Sequence, residues 1–135
     1  MKSNVKTATK IRGLNLSHKF VDHRSELNND YLLIKFEKQS LQHRLLETFL
    51  IYHFVLTADS KQSEHLINEL RAIKKNYKKR AIFDSPYCGI DIRKDVTEVF
   101  DCVNEEDAPL IGFQSFYVPT DNLLQVMITY QRQLY

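Results

Sequence analysis

Six of the ten residues from Arg71 to Arg80, RAIKKNYKKR, are lysine or arginine, in a chain that holds 19 of them. The chemistry open to such a run is phosphate neutralisation, which is salt-dependent and indifferent to base sequence. On a helix, Arg71, Lys74, Lys75, Lys78 and Lys79 fall within a sector of roughly 140°. Leu66, Leu70, Ile73 and Tyr77 form a stripe roughly 140° away, which exposes the cations and turns Tyr77 to the core. Two plainer readings compete. Lysines gather at helix C-termini because the dipole favours them there, and an acidic protein surface would satisfy them equally well. With Tyr77 inside, no aromatic offers itself for base stacking, and no ladder of Asn, Gln or Arg is set to read base edges.

Carboxylates offer a second chemistry. FDSPYCGIDIRK places Asp84 before a turn and Asp91 on a strand, with Arg93 and Lys94 following. This faintly resembles the layout of metal-dependent nucleases with a PD-(D/E)xK core, in which two acids hold Mg²⁺ and a lysine assists. Here proline follows Asp84 instead of preceding it, the gap is short, and an arginine stands at the lysine position. A plain hairpin is the preferred reading of the segment.

The remaining candidates form no catalytic or metal pattern. His18, His23, His43, His53 and His65 are dispersed, and Cys88 and Cys102 make no CxxC pair. His53, in an apolar run, reads as a core histidine. Cys88 reads as a small residue at a strand start, since a nucleophile would need a base and a thiolate-stabilising neighbourhood. No metal and no cofactor are expected. The chain has three glycines, and no Gly-rich phosphate loop, GxSxG or HExxH is present.

Composition bounds the rest. At 135 residues and 43% hydrophobic, the chain fits a single domain, residues 1–135, with a buried core. No secretory h-region and no run of about 18 apolar residues appears, so a soluble, cytoplasmic protein with reduced thiols is expected. The net charge of +2 hides an asymmetry: residues 1–80 hold 16 basic and 8 acidic side chains, residues 81–135 hold 3 and 9. One basic and one acidic surface is the simplest consequence.

The elements that must position these residues follow from periodicity. Residues 1–29 read as an extended basic arm, carrying Lys2, Lys6, Lys10 and Arg12, with at most one short element. YLLIKFEK (31–38) reads as a strand. LLETFLIYHFVLT (45–57) reads as a second strand, buried on both faces and joined to the first by a hairpin, with a helix over 41–50 as the alternative. A long helix spans about 59–80, capped by Asp59 or Ser60. AIF (81–83) and YCGIDIR (87–93) read as strands around DSPY. Val96, Val99, Phe100 and Val103 suggest a short helix over about 95–103. APLIGFQSFYV (108–118) reads as a strand ending in the turn PTDN, and the alternation of Leu124, Val126, Ile128 and Tyr130 favours a final strand over a helix in 123–134.

The sum is an α+β chain: a mostly antiparallel sheet with the long and the short helix packed on one face. The favoured function is a small non-catalytic binding or regulatory protein, inhibitor- or adaptor-like, acting on a protein partner. GFQSFY (112–117) is its candidate contact segment, although a core strand is the preferred reading there. The alternative is a nucleic-acid-binding module using Arg71, Lys74, Lys75, Lys78 and Lys79. A metal-dependent nuclease around Asp84 and Asp91 ranks third. A homodimer through edge pairing of the final strand is also open.

Overall fold

The computed structural model describes residues 15–24, 32–56, 60–86, 88–101 and 115–134, and among them the chain is a mixed α+β structure of two antiparallel sheets and three helices. β1 (His18–Asp22) pairs antiparallel with β2 (Leu32–Phe36). β3 (Ala81–Asp84), β4 (Cys88–Ile92), β5 (Val96–Asp101) and β6 (Phe116–Pro119) form a second antiparallel sheet in sequence order. The helices are α1 (Leu41–Ile51), which continues as a π-helical turn over Tyr52–Leu56, α2 (Ser60–Lys74) and α3 (Thr120–Leu134).

Period-two alternation builds the sheets as expected. Leu32, Ile34 and Phe36 are buried while Lys35 between them is exposed. In the larger sheet Ile90, Ile92, Val99 and Val118 point to one side, and all three helices supply the core that covers it: α1 packs on β2 and β4, α2 on β3 and α3, α3 on β6 and β2. The opposite face of the four-stranded sheet carries no described helix.

Three elements differ from the sequence reading. Residues 45–56 are helical, because Leu45, Leu46, Phe49, Leu50, His53 and Phe54 are buried at the 1, 4, 5 spacing of a helix face. Ser40 caps this helix: its hydroxyl accepts the His43 backbone N–H at 3.3 Å and bonds His43 Nδ1 at 2.6 Å. Residues 96–101 form strand β5 instead of the short helix over 95–103. Thr97 and Val99 pair with Val118 and Phe116 inside, leaving Val96, Glu98 and Phe100 outside. Residues 123–134 lie in helix α3, with Leu123, Val126, Met127 and Tyr130 buried. Leu123 and Met127 break the alternation and complete a helical stripe, so the proposed edge-to-edge dimer through a final strand has no strand to use.

Within the segment read as an arm with at most one short element, His18–Asp22 is a sheet strand; residues 1–14, with Lys2, Lys6, Lys10 and Arg12, lie outside the described residues. So do Cys102, most of the expected strand 108–118 and residues 112–114 of GFQSFY.

Tyr130 joins the small sheet to the rest. Its ring stacks on Phe54 at 5.1 Å and on Phe20 at 5.6 Å, and its hydroxyl donates to Leu32 O at 2.7 Å. Burial pushes its phenol well above the usual range, so it stays a neutral donor. No helix among the described residues is long and apolar enough to cross a membrane.

Candidate functional site

The basic run does not stay helical. α2 ends at Lys74, where Asn76 takes φ 65° and closes a Schellman cap: Asn76 N–H donates to Ile73 O at 3.1 Å and Tyr77 N–H to Ala72 O at 2.9 Å. Asparagine tolerates this left-handed conformation better than most residues. Lys75, Lys78 and Lys79 therefore sit on an exposed turn and not on the helix face shared with Arg71 and Lys74. Tyr77, expected in the core, is 82% exposed. The helical stripe stops at Ile73 because the chain reverses direction before position 77.

The six cations of RAIKKNYKKR divide evenly. Lys74 Nζ lies 2.9 Å from Asp121 Oδ1 and donates to Lys94 O at 3.1 Å, tying the end of α2 to the start of α3 and to the β4–β5 turn. Lys78 Nζ reaches Glu69 Oε1 at 2.9 Å. Arg80 grips Asp91 with two hydrogen bonds of 2.9 Å, Nε to Oδ1 and Nη2 to Oδ2. Arg71, Lys75 and Lys79 form no ion pair with another described residue.

A second surface is the outer face of the four-stranded sheet, and strand register lays it out in rows. Ile82, Asp91, Glu98 and Tyr117 stand opposite one another across β3, β4, β5 and β6, spanning roughly 14 Å. Ile82 is 54% and Tyr117 42% exposed, at the two ends of the row. Between them Asp91 and Glu98 are directly opposed carboxylates, an unfavourable pair on its own. Arginines offset it: Arg80 is bidentate on Asp91, and Arg93 Nη2 lies 3.7 Å from Asp91 Oδ2. Asp91 holds the Arg80 guanidinium above its ordinary pKa. A depression of about 190 Å³ opens among Asp91, Arg93, Val96, Glu98 and Tyr117. In the neighbouring row Phe100 lies over Gly89, where an added Cβ would sit 2.6 Å from the ring and 2.9 Å from Phe83 O. Gly89 therefore lets the aromatic lie flat on the sheet.

The residues weighed for catalysis are placed as follows. Asp84 and Asp91 share the outer face, in adjacent rows, but both Asp91 oxygens accept from Arg80. A metal would have to displace that arginine. Cys88 is fully buried, its Sγ 3.5 Å from Leu45 O. His53 is buried against Phe49 at 4.4 Å, as expected of a core histidine, and its Nε2 bonds Asp84 O at 2.8 Å. His43 is buried with Nε2 2.6 Å from Asn15 O. Among the described residues no group of three or more His, Cys, Asp or Glu side chains is placed to hold a metal ion.

Sequence reasoning missed Ile82 and Glu98, weighed Arg93 only as the residue at the lysine position of a nuclease layout, and left Arg80 out of the basic site. Only the pairing register reveals that they share a face with Tyr117. Comparison with protein families, curated proteins and solved structures finds no match, so these surfaces are read from their own geometry.

Proposed function

We propose that this chain is a non-catalytic binding protein that docks a protein partner on the outer face of its four-stranded sheet. The observation that carries the reading is the row Ile82–Asp91–Glu98–Tyr117: two exposed apolar side chains flank an arginine-locked carboxylate on a preformed sheet. Tyrosine and arginine are enriched at interface hot spots, and tyrosine buries a large area at low entropic cost. The lock fixes Arg80 before binding, which lowers the ordering cost of association. A partner suited to this face presents an apolar side chain to the depression beside Tyr117. It also presents a carboxylate to the donors that Arg80 and Arg93 do not spend on Asp91. A polyanion fits less well, because Asp91 and Glu98 occupy the centre of the face.

The non-catalytic part of the reading rests on the buried state of Cys88, His43 and His53 and on the engagement of both Asp91 oxygens.

A displayed random-peptide library selected on the immobilised chain tests the proposal. Peptides pairing an acidic residue with an aromatic or aliphatic one should be enriched. Their affinity, measured by titration calorimetry, should fall by about tenfold or more for Tyr117→Ala and for Ile82→Lys, since central anchors typically cost over 1 kcal/mol. Both variants should keep the wild-type unfolding midpoint. Enriched peptides indifferent to both substitutions, or no enrichment at all, would remove the sheet face as a docking surface.

A further inference from the structure

We infer that the turn after α2 is a single-stranded nucleic-acid site, with the Tyr77 ring as a stacking platform for one base and Arg71, Lys75 and Lys79 as its phosphate contacts. This goes beyond the docking face, uses different residues and stands or falls separately. Tyr77 has the highest exposure of the large hydrophobic side chains exposed among the described residues, 82% against 56% for Leu56 and 54% for Ile82. At its position in a Schellman cap an apolar side chain normally packs back on the helix, and here the ring stands in solvent.

The ring stands on a fixed base. The left-handed Asn76 and the paired hydrogen bonds to Ile73 O and Ala72 O set the turn. The ion pairs Lys74–Asp121, Lys78–Glu69 and Arg80–Asp91 pin it once before and twice after Tyr77. The three cations that these pairs leave over come from the same segment, one before and two around the ring. An exposed aromatic flanked by uncommitted cations is the composition that binds an unstacked base and its phosphates. A duplex suits the site less, because its bases are already stacked and a turn presents no helix to a groove. Up to three phosphates are neutralised, so the slope of log K against log salt is about −2, at roughly −0.7 per contact on a single strand.

The test is fluorescence anisotropy of a labelled oligothymidylate, an abasic oligomer of the same length and charge, and a polyglutamate of matched charge, each at several salt concentrations. The thymidylate should bind more tightly than the other two, with the stated slope. Tyr77→Ala should lower its affinity about tenfold, to the abasic level, and Tyr77→Phe should restore it. Lys75→Glu with Lys79→Glu should abolish binding. All these positions are exposed, and unchanged unfolding midpoints would show that the variants fold. No thymidylate binding at low salt overturns the inference. Equal affinity for the abasic strand also overturns it by removing the stacking role, and polyglutamate binding as tight as thymidylate makes the turn a contact for acidic protein.

Discussion

His53 shows how burial decides the role of a titratable side chain. It lies on the π-helical turn, close against Phe49, with Tyr52 and Phe83 edge-on and one ring nitrogen bonded to Asp84 O. Removal from water lowers its pKa below the usual histidine range; the Asp84 carbonyl and carboxylate pull the other way without cancelling the effect. A lowered folded pKa means that the unfolded chain takes up the proton first. The contribution of a neutral His53 is therefore intact above about pH 6.5, the ordinary histidine value, and is lost as the pH falls from there toward the folded pKa. His53→Gln keeps a side-chain N–H donor and cannot titrate. Urea midpoints of wild type and variant, measured from pH 7.5 to 5, should show the wild type losing stability faster than the variant below pH 6.5. Parallel curves would mean that another group carries the acid sensitivity.

At the scale of elements, what the sequence disclosed depended on whether a segment's neighbours were needed to read it. β2, β3 and β4 are local in this sense: Leu32, Ile34 and Phe36 alternate cleanly, and DSPY marks the hairpin between AIFD and CGIDI. The stripe Leu66, Leu70 and Ile73 likewise fixed α2 without help from its partners. β5 was not local. Val96, Val99 and Phe100 fit a helix face as well as a strand in so short a window, and only pairing with β4 and β6 puts Val99 inside and Phe100 outside. α1 was lost to the β-branched and aromatic content of LIYHFV, because strand propensity reports packing more than backbone preference. The same limit hid the outer sheet face, whose members come from four strands. In the basic turn the cations were visible, while the exposure of Tyr77 depended on one residue, Asn76, ending the helix. Asn76→Ala places a Cβ-bearing residue with no polar side chain in the left-handed region and should cost about 1 kcal/mol; Asn76→Gly should be neutral or slightly stabilising. Urea unfolding of the two variants measures this, and an alanine variant as stable as wild type would show that the cap is not what stops α2.

For the whole molecule, the basic first part and the acidic second part of the sequence meet in ion pairs among the described residues. Lys74 meets Asp121 and Arg80 meets Asp91, each joining a residue before position 81 to one after it. The apolar core closes in the same way, and α3 is the closing piece. Leu123, Val126, Met127 and Tyr130 fill the space between α2, β6 and the small sheet, with Tyr130 stacked on both Phe20 and Phe54. Burying four such side chains is worth on the order of 6–12 kcal/mol, at about 1.5–3 kcal/mol each. That is comparable to the whole stability of an ordinary domain, about 5–15 kcal/mol. A chain ending at Pro119 should therefore lack a cooperative urea transition and the near-ultraviolet dichroism of packed aromatics. It should also lose both proposed binding activities together, whereas Tyr117→Ala and Tyr77→Ala remove one each. A truncated chain that still unfolds cooperatively near the wild-type midpoint would mean that the two sheets and α2 hold the core by themselves, with α3 an addition to a fold already complete.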